Sequence, residues 1–180
     1  MSTTTETRST GIPTGTYAAD TVHSSVTFEV PYAVATFRGE VPDFEATLAD
    51  GTLAGSARIA SISVKEENLA AHLLSPEFFD VERHPVVSFA GDLERLSGDQ
   101  VEAEGTITIK GVTRPATLAG TISGPAVDHF GATRVGLTLE TTVDRTAFGM
   151  TWNMPLPNGE PALADEVTLT AELTLVQQEA

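Results

Sequence analysis

Cysteine is absent from the 180-residue sequence. That excludes disulfides, thiolate nucleophiles, iron–sulfur clusters and cysteine-based zinc sites. Positive charge is scarce: 10 Lys and Arg face 25 Asp and Glu, a formal net charge of −15 at pH 7. A domain that tracks DNA or RNA needs a basic footprint, so nucleic acid is not an expected partner. The same sign disfavours an anionic membrane surface. No run approaches the ~18 apolar residues of a spanning helix, and stable membrane insertion is not expected. The opening MSTTTETRST holds no apolar signal-peptide core, which leads to the expectation of a cytoplasmic protein. Phosphate loops of the G-x-G-x-x-G and Walker types are missing, as is a G-x-S-x-G nucleophile elbow.

What is present is a globular composition, 41% hydrophobic, on a length that suits one domain. Residues 1–12 are Thr/Ser-rich and are expected to form a flexible tail, with residues 13–180 a single domain. Period-2 alternation dominates that domain. Val101, Ala103, Gly105, Ile107 and Ile109 alternate with Glu and Thr. Val135, Leu137, Leu139, Thr141 and Val143 do the same, as do Val167, Leu169, Ala171, Leu173 and Leu175. Val22, Val26, Phe28 and Val30 start the series. Each run is a half-buried antiparallel strand with one apolar and one wet face. Asp50-Gly51, Ser97-Gly98-Asp99 and Asn158-Gly159 are hairpin-type sequences. Gly111 and Pro115 bracket another turn, and Gly124-Pro125 marks one more.

One segment breaks the alternation. KEENLAAHLLSPEFFDVER, residues 65–83, predicts a short helix near 66–74. A second helical turn is expected near 76–80, with Ser75 as N-cap and Pro76 at N1. The fold class is therefore all-β: roughly eight antiparallel strands with a helical insertion near residues 66–80. A closed barrel hides the apolar faces and removes the edges, with a two-sheet sandwich as competitor. Inward residues as small as Ala103, Gly105 and Ala171 leave volume for Phe side chains or a ligand to fill.

Five segments in order resemble the YceI-like family of bacterial lipid-binding proteins. They are Asp20 to Val30 (DTVHSSVTFEV), Phe37-Arg38-Gly39 with Phe44, and Leu73 to Asp80 with His84-Pro85 and Phe89. Gly105 to Pro115 and Asp144 to Gly149 complete the set, and the order and spacing run over about residues 15–177. One departure follows the first strand, where Pro31-Tyr32-Ala33 stands in place of the family's His-Leu pair. The resemblance implies an elongated eight-stranded lipocalin-like barrel with a helical cap. It also implies a long apolar cavity for a polyisoprenoid or a similar amphipathic lipid, such as an isoprenoid quinone. Family members are commonly dimeric, so a homodimer joins the lipid among the expected partners. No cofactor is expected.

The residues place this chemistry as follows. Apolar pockets favour aromatic walls, so the expected lining is Phe28, Phe37, Phe44, Leu73, Phe78, Phe79, Phe89, Phe148 and Trp152. Phe78 and Phe79 are adjacent, and one is expected to plug the barrel while the other packs outside. Phe148 and Trp152 precede the 155–161 loop, a mobile lip to which Met150 and Met154 add adaptable apolar surface. His23, Arg38, Arg114 and Arg145 are the candidate headgroup contacts, because Arg forks suit phosphate. The competing reading gives each Arg a local acid, and gives His23 a structural hydrogen bond with Asp20 or Ser24. The four histidines, His23, His72, His84 and His129, show no ligand spacing, so no metal site and no catalytic residue is assigned. The expected function is non-enzymatic binding, sequestration or carriage of an isoprenoid-type lipid. An enzyme acting on a small apolar substrate in the same barrel, and a cavity-free structural or interaction barrel, are the alternatives.

Overall fold

Ten antiparallel strands carry the alternation into three dimensions in a computed structural model, which describes residues 11–179. They are β1 (Thr16–Ala19), β2 (Ser25–Tyr32), β3 (Ala35–Glu40), β4 (Phe44–Ala49) and β5 (Thr52–Arg58), then β6 (Val86–Arg95), β7 (Gln100–Ile109), β8 (Val112–Val127), β9 (Thr133–Asp144) and β10 (Glu166–Gln177). Among the described residues a single α-helix, α1 (Glu67–Leu74), lies between β5 and β6, and short 3-10 turns cover Ile59–Ser61 and Arg145–Phe148. Strand β1 pairs with both β4 and β10, so β1 and β4 through β10 close a ring of eight. This is the expected eight-stranded lipocalin-like barrel, and ring closure removes the sandwich.

The count of ten has a simple origin. β1 and β2 both lie along β10, β1 against Leu175–Gln177 and β2 against Thr168–Glu172. They share one edge, interrupted where His23 N–H donates to Asp20 O at 3.1 Å. β3 then folds back on β2 as a hairpin. Val22, assigned by sequence to the strand's inner face, falls in the interruption and is exposed.

Cross-strand rows of inward residues explain why one end is solid. Tyr17 pairs with Leu48 and Leu48 with Leu53. Ile122 pairs with Leu137 and Leu137 with Leu173. Ile12 is buried against this end, and Arg95 Nε donates to Gly11 O at 2.9 Å. Of the expected tail, residues 1–10 lie outside the described residues, while Ile12 belongs to the core. Burying such side chains is worth roughly 1.5–3 kcal/mol each relative to exposure.

Three turn and glycine readings are corrected. Gly124-Pro125 is a bulge within β8, marked by a register shift between Ser123 and Ala126, where a strand tolerates proline. The β7–β8 turn is Lys110-Gly111, and Pro115 pairs with Thr106 inside the sheet. Gly105 contributes no spare volume. It faces Gly91 across the β6–β7 pair, and a Cβ there would lie 1.9 Å from Ala90 O. Gly105→Ala is therefore expected to destabilise by about 2 kcal/mol through overpacking against backbone. A denaturation midpoint equal to that of the parent would contradict this close approach.

At the solid end, Asp20 accepts from His23 Nδ1 at 2.8 Å and from Arg134 Nη1 at 3.0 Å. The hydrogen bond from His23 and then that from Arg134 hold the Asp20 carboxyl down at about 2, from an ordinary 3.8. A depressed carboxyl stabilises the fold above its unfolded value and loses that contribution as pH falls through the folded one. Between pH 4 and about 2 the parent should thus lose about 1 kcal/mol more than Asp20→Asn, after allowance for solvent screening. Urea titrations at several pH values measure the difference. Parallel stability curves for the two proteins would remove this role.

Candidate functional site: an apolar cavity beneath the helical cap

The other end of the barrel is hollow, and the register shows why. One continuous inward row runs Ala46–Gly55–Phe89–Ile107 across β4 to β7. A second runs Leu139–Ala171–Val26 across β9, β10 and β2. Small residues in both rows withdraw the wall from the axis. The result is a cavity of about 600 Å³, inside the ~300–1,000 Å³ typical of small-molecule sites. On β10 the lining reaches Leu173 but not Leu175, and on β9 Leu139 but not Leu137. The solid layer begins there.

The cap is built from α1 and the turn after it. Glu67 suits the helix's positive end, and Leu69 and Leu73 face the cavity. Ser75 ends the helix: its hydroxyl donates to His72 O at 2.6 Å. Ser75 is thus a C-cap, and residues 76–79 form turns in place of the expected second helical turn. Phe78 N–H and Asp80 N–H both donate to Ser75 O, at 3.0 and 2.9 Å. This tight turn aims Phe78 and Phe79 into the same cavity, so neither packs outside.

The 149–165 segment closes the other side of the mouth. The His72 ring stands edge-on to Trp152 with centroids 4.6 Å apart and to Phe78 at 4.9 Å, joining cap to loop. Such pairs contribute about 0.5–1.5 kcal/mol each beyond area burial. Lys110 Nζ donates to Pro76 O at 2.7 Å and to Gly149 O at 3.4 Å, a second tie between the same two segments. Arg145 lies beneath, 3% exposed and on the lining. Its Nε donates to Ala164 O at 2.8 Å, and its Nη1 to Met150 O at 2.7 Å and Trp152 O at 2.8 Å. Burial pushes its pKa down, opposed by Asp165 and Asp144. Asp144 itself accepts from Thr146 N–H and hydroxyl.

Of the expected lining, Phe28, Phe37, Phe44, Leu73, Phe78, Phe79, Phe89 and Trp152 all meet at this cavity. Phe148 does not: it sits in the 3-10 turn, buried in the core off the lining. Three headgroup candidates also lie off it. Arg38 Nε pairs with Glu29 at 2.8 Å, Arg114 Nε donates to Ala147 O at 2.9 Å, and His23 is bound to Asp20 at the opposite end. Met150 lines the cavity, whereas Met154 is exposed outside it. Sequence reasoning missed Tyr32, Gly55, Leu69 and Leu163, which also line it. The strand parity that marked Leu139 and Ala171 as inward could have added those two. The interior is hollow, which removes the cavity-free barrel.

Comparison with known proteins agrees with this geometry. A family profile for the YceI-like domain matches residues 17–175. The chain belongs to the YceI-like family. Protein YceI of Salmonella newport is 26% identical over 164 residues, covering 87% of this chain and 83% of its own. A UPF0312 protein of Pseudomonas putida is 26% identical over 137 residues, 71% of each chain. BcnA of Burkholderia cenocepacia shares the fold with a TM-score of 0.73 at 17% identity, over 89% of this chain and 99% of its own. A polyisoprenoid binding domain from Saccharophagus degradans does so with a TM-score of 0.68 at 10% identity, over 90% and 98%. The YceI-like motifs have local physical reasons here. In Phe37-Arg38-Gly39, the glycine clears space for the Phe28 ring, whose nearest atom would lie 2.3 Å from a Cβ. In Lys110-Gly111, the glycine at φ +75 makes the turn and admits the His84 ring.

Proposed function

We propose that this YceI-like protein binds an isoprenoid-type lipid in the barrel cavity and sequesters or carries it without chemical change. The observation that carries this reading is the cavity wall, in which Phe, Leu, Val, Ile and Ala predominate. Water needs two to four polar partners to settle in a cavity, and this wall offers few. A branched hydrocarbon chain matches it and gains roughly 25 cal/mol per Å² of apolar surface removed from water, before ordering costs. At roughly 30 Å³ per water-sized group, about 600 Å³ holds on the order of 20 such groups, or about four isoprene units. The fold shared with a polyisoprenoid binding domain supports the same ligand class. Binding without catalysis fits a wall whose titratable side chains are Tyr32, Glu45, Glu66 and Arg145, with both glutamates exposed and Arg145 engaged by backbone carbonyls.

Cytoplasmic residence and homodimerisation complete the proposal, and cell fractionation and sedimentation test them. Native mass spectrometry after gentle purification, coupled to lipid extraction, tests the binding. We expect a co-purifying prenyl lipid, or stoichiometric uptake of geranylgeraniol. A folded protein that neither retains nor takes up such ligands would refute the reading.

A further inference from the structure

We propose that two fastened loop tips beside the cavity mouth dock the barrel on a zwitterionic phospholipid bilayer, the reservoir from which the cavity loads. This rests on the lipid-binding reading above and adds the surface that delivers the ligand.

The tips are the β2–β3 turn and the 153–163 loop. Ala33 N–H donates to Ala162 O at 2.8 Å, and Ala164 N–H to Pro31 O at 2.9 Å, so the two move as one. The Asn153 side chain braces the loop, donating to Leu163 O at 2.7 Å and accepting from Leu163 N–H at 3.0 Å. This frame holds apolar side chains out in solvent: Val34 is fully exposed, Met154 55% and Tyr32 41%. Pro155, Pro157 and Pro161 are exposed beside them. Grouped apolar exposure of this kind marks an interaction surface.

Three observations select a bilayer as the occupant. First, the exposed tips continue into the cavity, because Tyr32, Trp152 and Leu163 belong to its wall. A chain leaving an acyl layer at the tips reaches the apolar interior without crossing water. Second, residues 31–36 and 153–164 contain one charged side chain, the exposed Glu160, so the tips meet neutral headgroups with a single carboxylate to keep in water. Third, the tips carry no cation and the whole chain has a net charge of −15, which selects zwitterionic over anionic surfaces. Tyr32 is the residue type that settles at headgroup level. By contrast, exposed Phe130 stands at the solid end on the β8–β9 turn, beside Asp128 and away from the mouth.

Flotation of the full chain with phosphatidylcholine vesicles tests docking, with V34D/M154D and F130D as variants at exposed positions. We expect the parent and F130D to float with phosphatidylcholine vesicles. Vesicles of phosphatidylcholine with phosphatidylglycerol should recruit less protein at low salt. V34D/M154D should need roughly tenfold more lipid or worse. Uptake of geranylgeraniol delivered in ethanol, read by native mass spectrometry, should be the same for all three proteins. Parent protein that takes up geranylgeraniol but ignores vesicles would overturn docking alone. Stronger recruitment by anionic vesicles, or loss of flotation in F130D, would also overturn it. A change in sedimenting mass on V34D/M154D would make the tips a protein interface and end the proposal. Failure of geranylgeraniol uptake by the parent would strike the cavity reading instead.

Discussion

Arg145→Ala is expected to lower stability by about 3–5 kcal/mol, because several partly or fully buried backbone carbonyls lose their donor at roughly 1–3 kcal/mol each. The reason lies in what the guanidinium replaces. Between the 3-10 turn and β10, residues 149–165 have no strand ladder beyond two isolated bridges, Pro155 to Pro161 and Leu163 to Tyr32. Their carbonyls still have to be satisfied where the segment turns inward. Arg145 supplies the donors: Nε and Nη1 take Ala164, Met150 and Trp152 at 2.7–2.8 Å, and Nη2 reaches Leu163 O at 3.4 Å and Asp165 at 3.5 Å. Alanine would leave those acceptors bare, at roughly 1–3 kcal/mol for each that stays buried. Leu163 loses least, since Asn153 also donates to its carbonyl. Arg145→Lys should recover less than half of the loss, because one ammonium lacks the planar fork that spans the set. Urea denaturation gives the stability. Hydrogen exchange should show faster exchange concentrated in 150–164, including Ala162 and Ala164. A loss below about 1 kcal/mol with unchanged exchange would show that the loop holds itself.

The same arginine shows where sequence reading stops. Its competing readings were a headgroup contact and a local ion pair. The structure gives it mainly carbonyls as partners, and acceptors on an irregular segment leave no trace in side-chain identity. The barrel was legible because β7, β9 and β10 alternate with a strict period of 2, and a half-buried strand has no other way to sort its faces. The interruption between β1 and β2 was hidden, because local bonds donated by Val22 and His23 to Asp20 compete with the ladder inside a stretch that alternates. Aromatic character and nearness to Trp152 place Phe148 on the lining when only the sequence is read. A 3-10 turn ending at Gly149, φ +82, instead directs it into the core. The cavity's cause was beyond reach for a related reason. That Ala46, Gly55 and Phe89 share one row is a fact of pairing between distant segments, and no single strand contains it.

That row sets up the test with the greatest expected effect on ligand binding. Gly55→Leu should stabilise the protein by about 1–2 kcal/mol while weakening the proposed binding of a four-isoprene prenol by roughly tenfold or more. The two signs oppose each other because the added atoms enter the volume the ligand is proposed to use. A Cβ at Gly55 would sit 3.5 Å from Glu45 O and 3.7 Å from Ala46 Cβ, ordinary contacts, unlike the 1.9 Å clash at Gly105. Gly55 also has no positive φ to protect. The leucine loses the entropic penalty of glycine in a strand and buries its side chain against Phe89 and Ala46. Its four carbons occupy about 120 Å³ at roughly 30 Å³ each, close to one isoprene unit of the cavity. Loss of affinity should therefore depend on chain length: steep for geranylgeraniol and slight for farnesol, which leaves room to spare. Calorimetric or fluorescence titration with both prenols gives that ratio, and thermal unfolding of the unliganded proteins gives the stability. Equal losses for the two prenols would place the chain elsewhere. A destabilised Gly55→Leu would mean that the wall at Gly55 is packed, with no open volume for the side chain to enter.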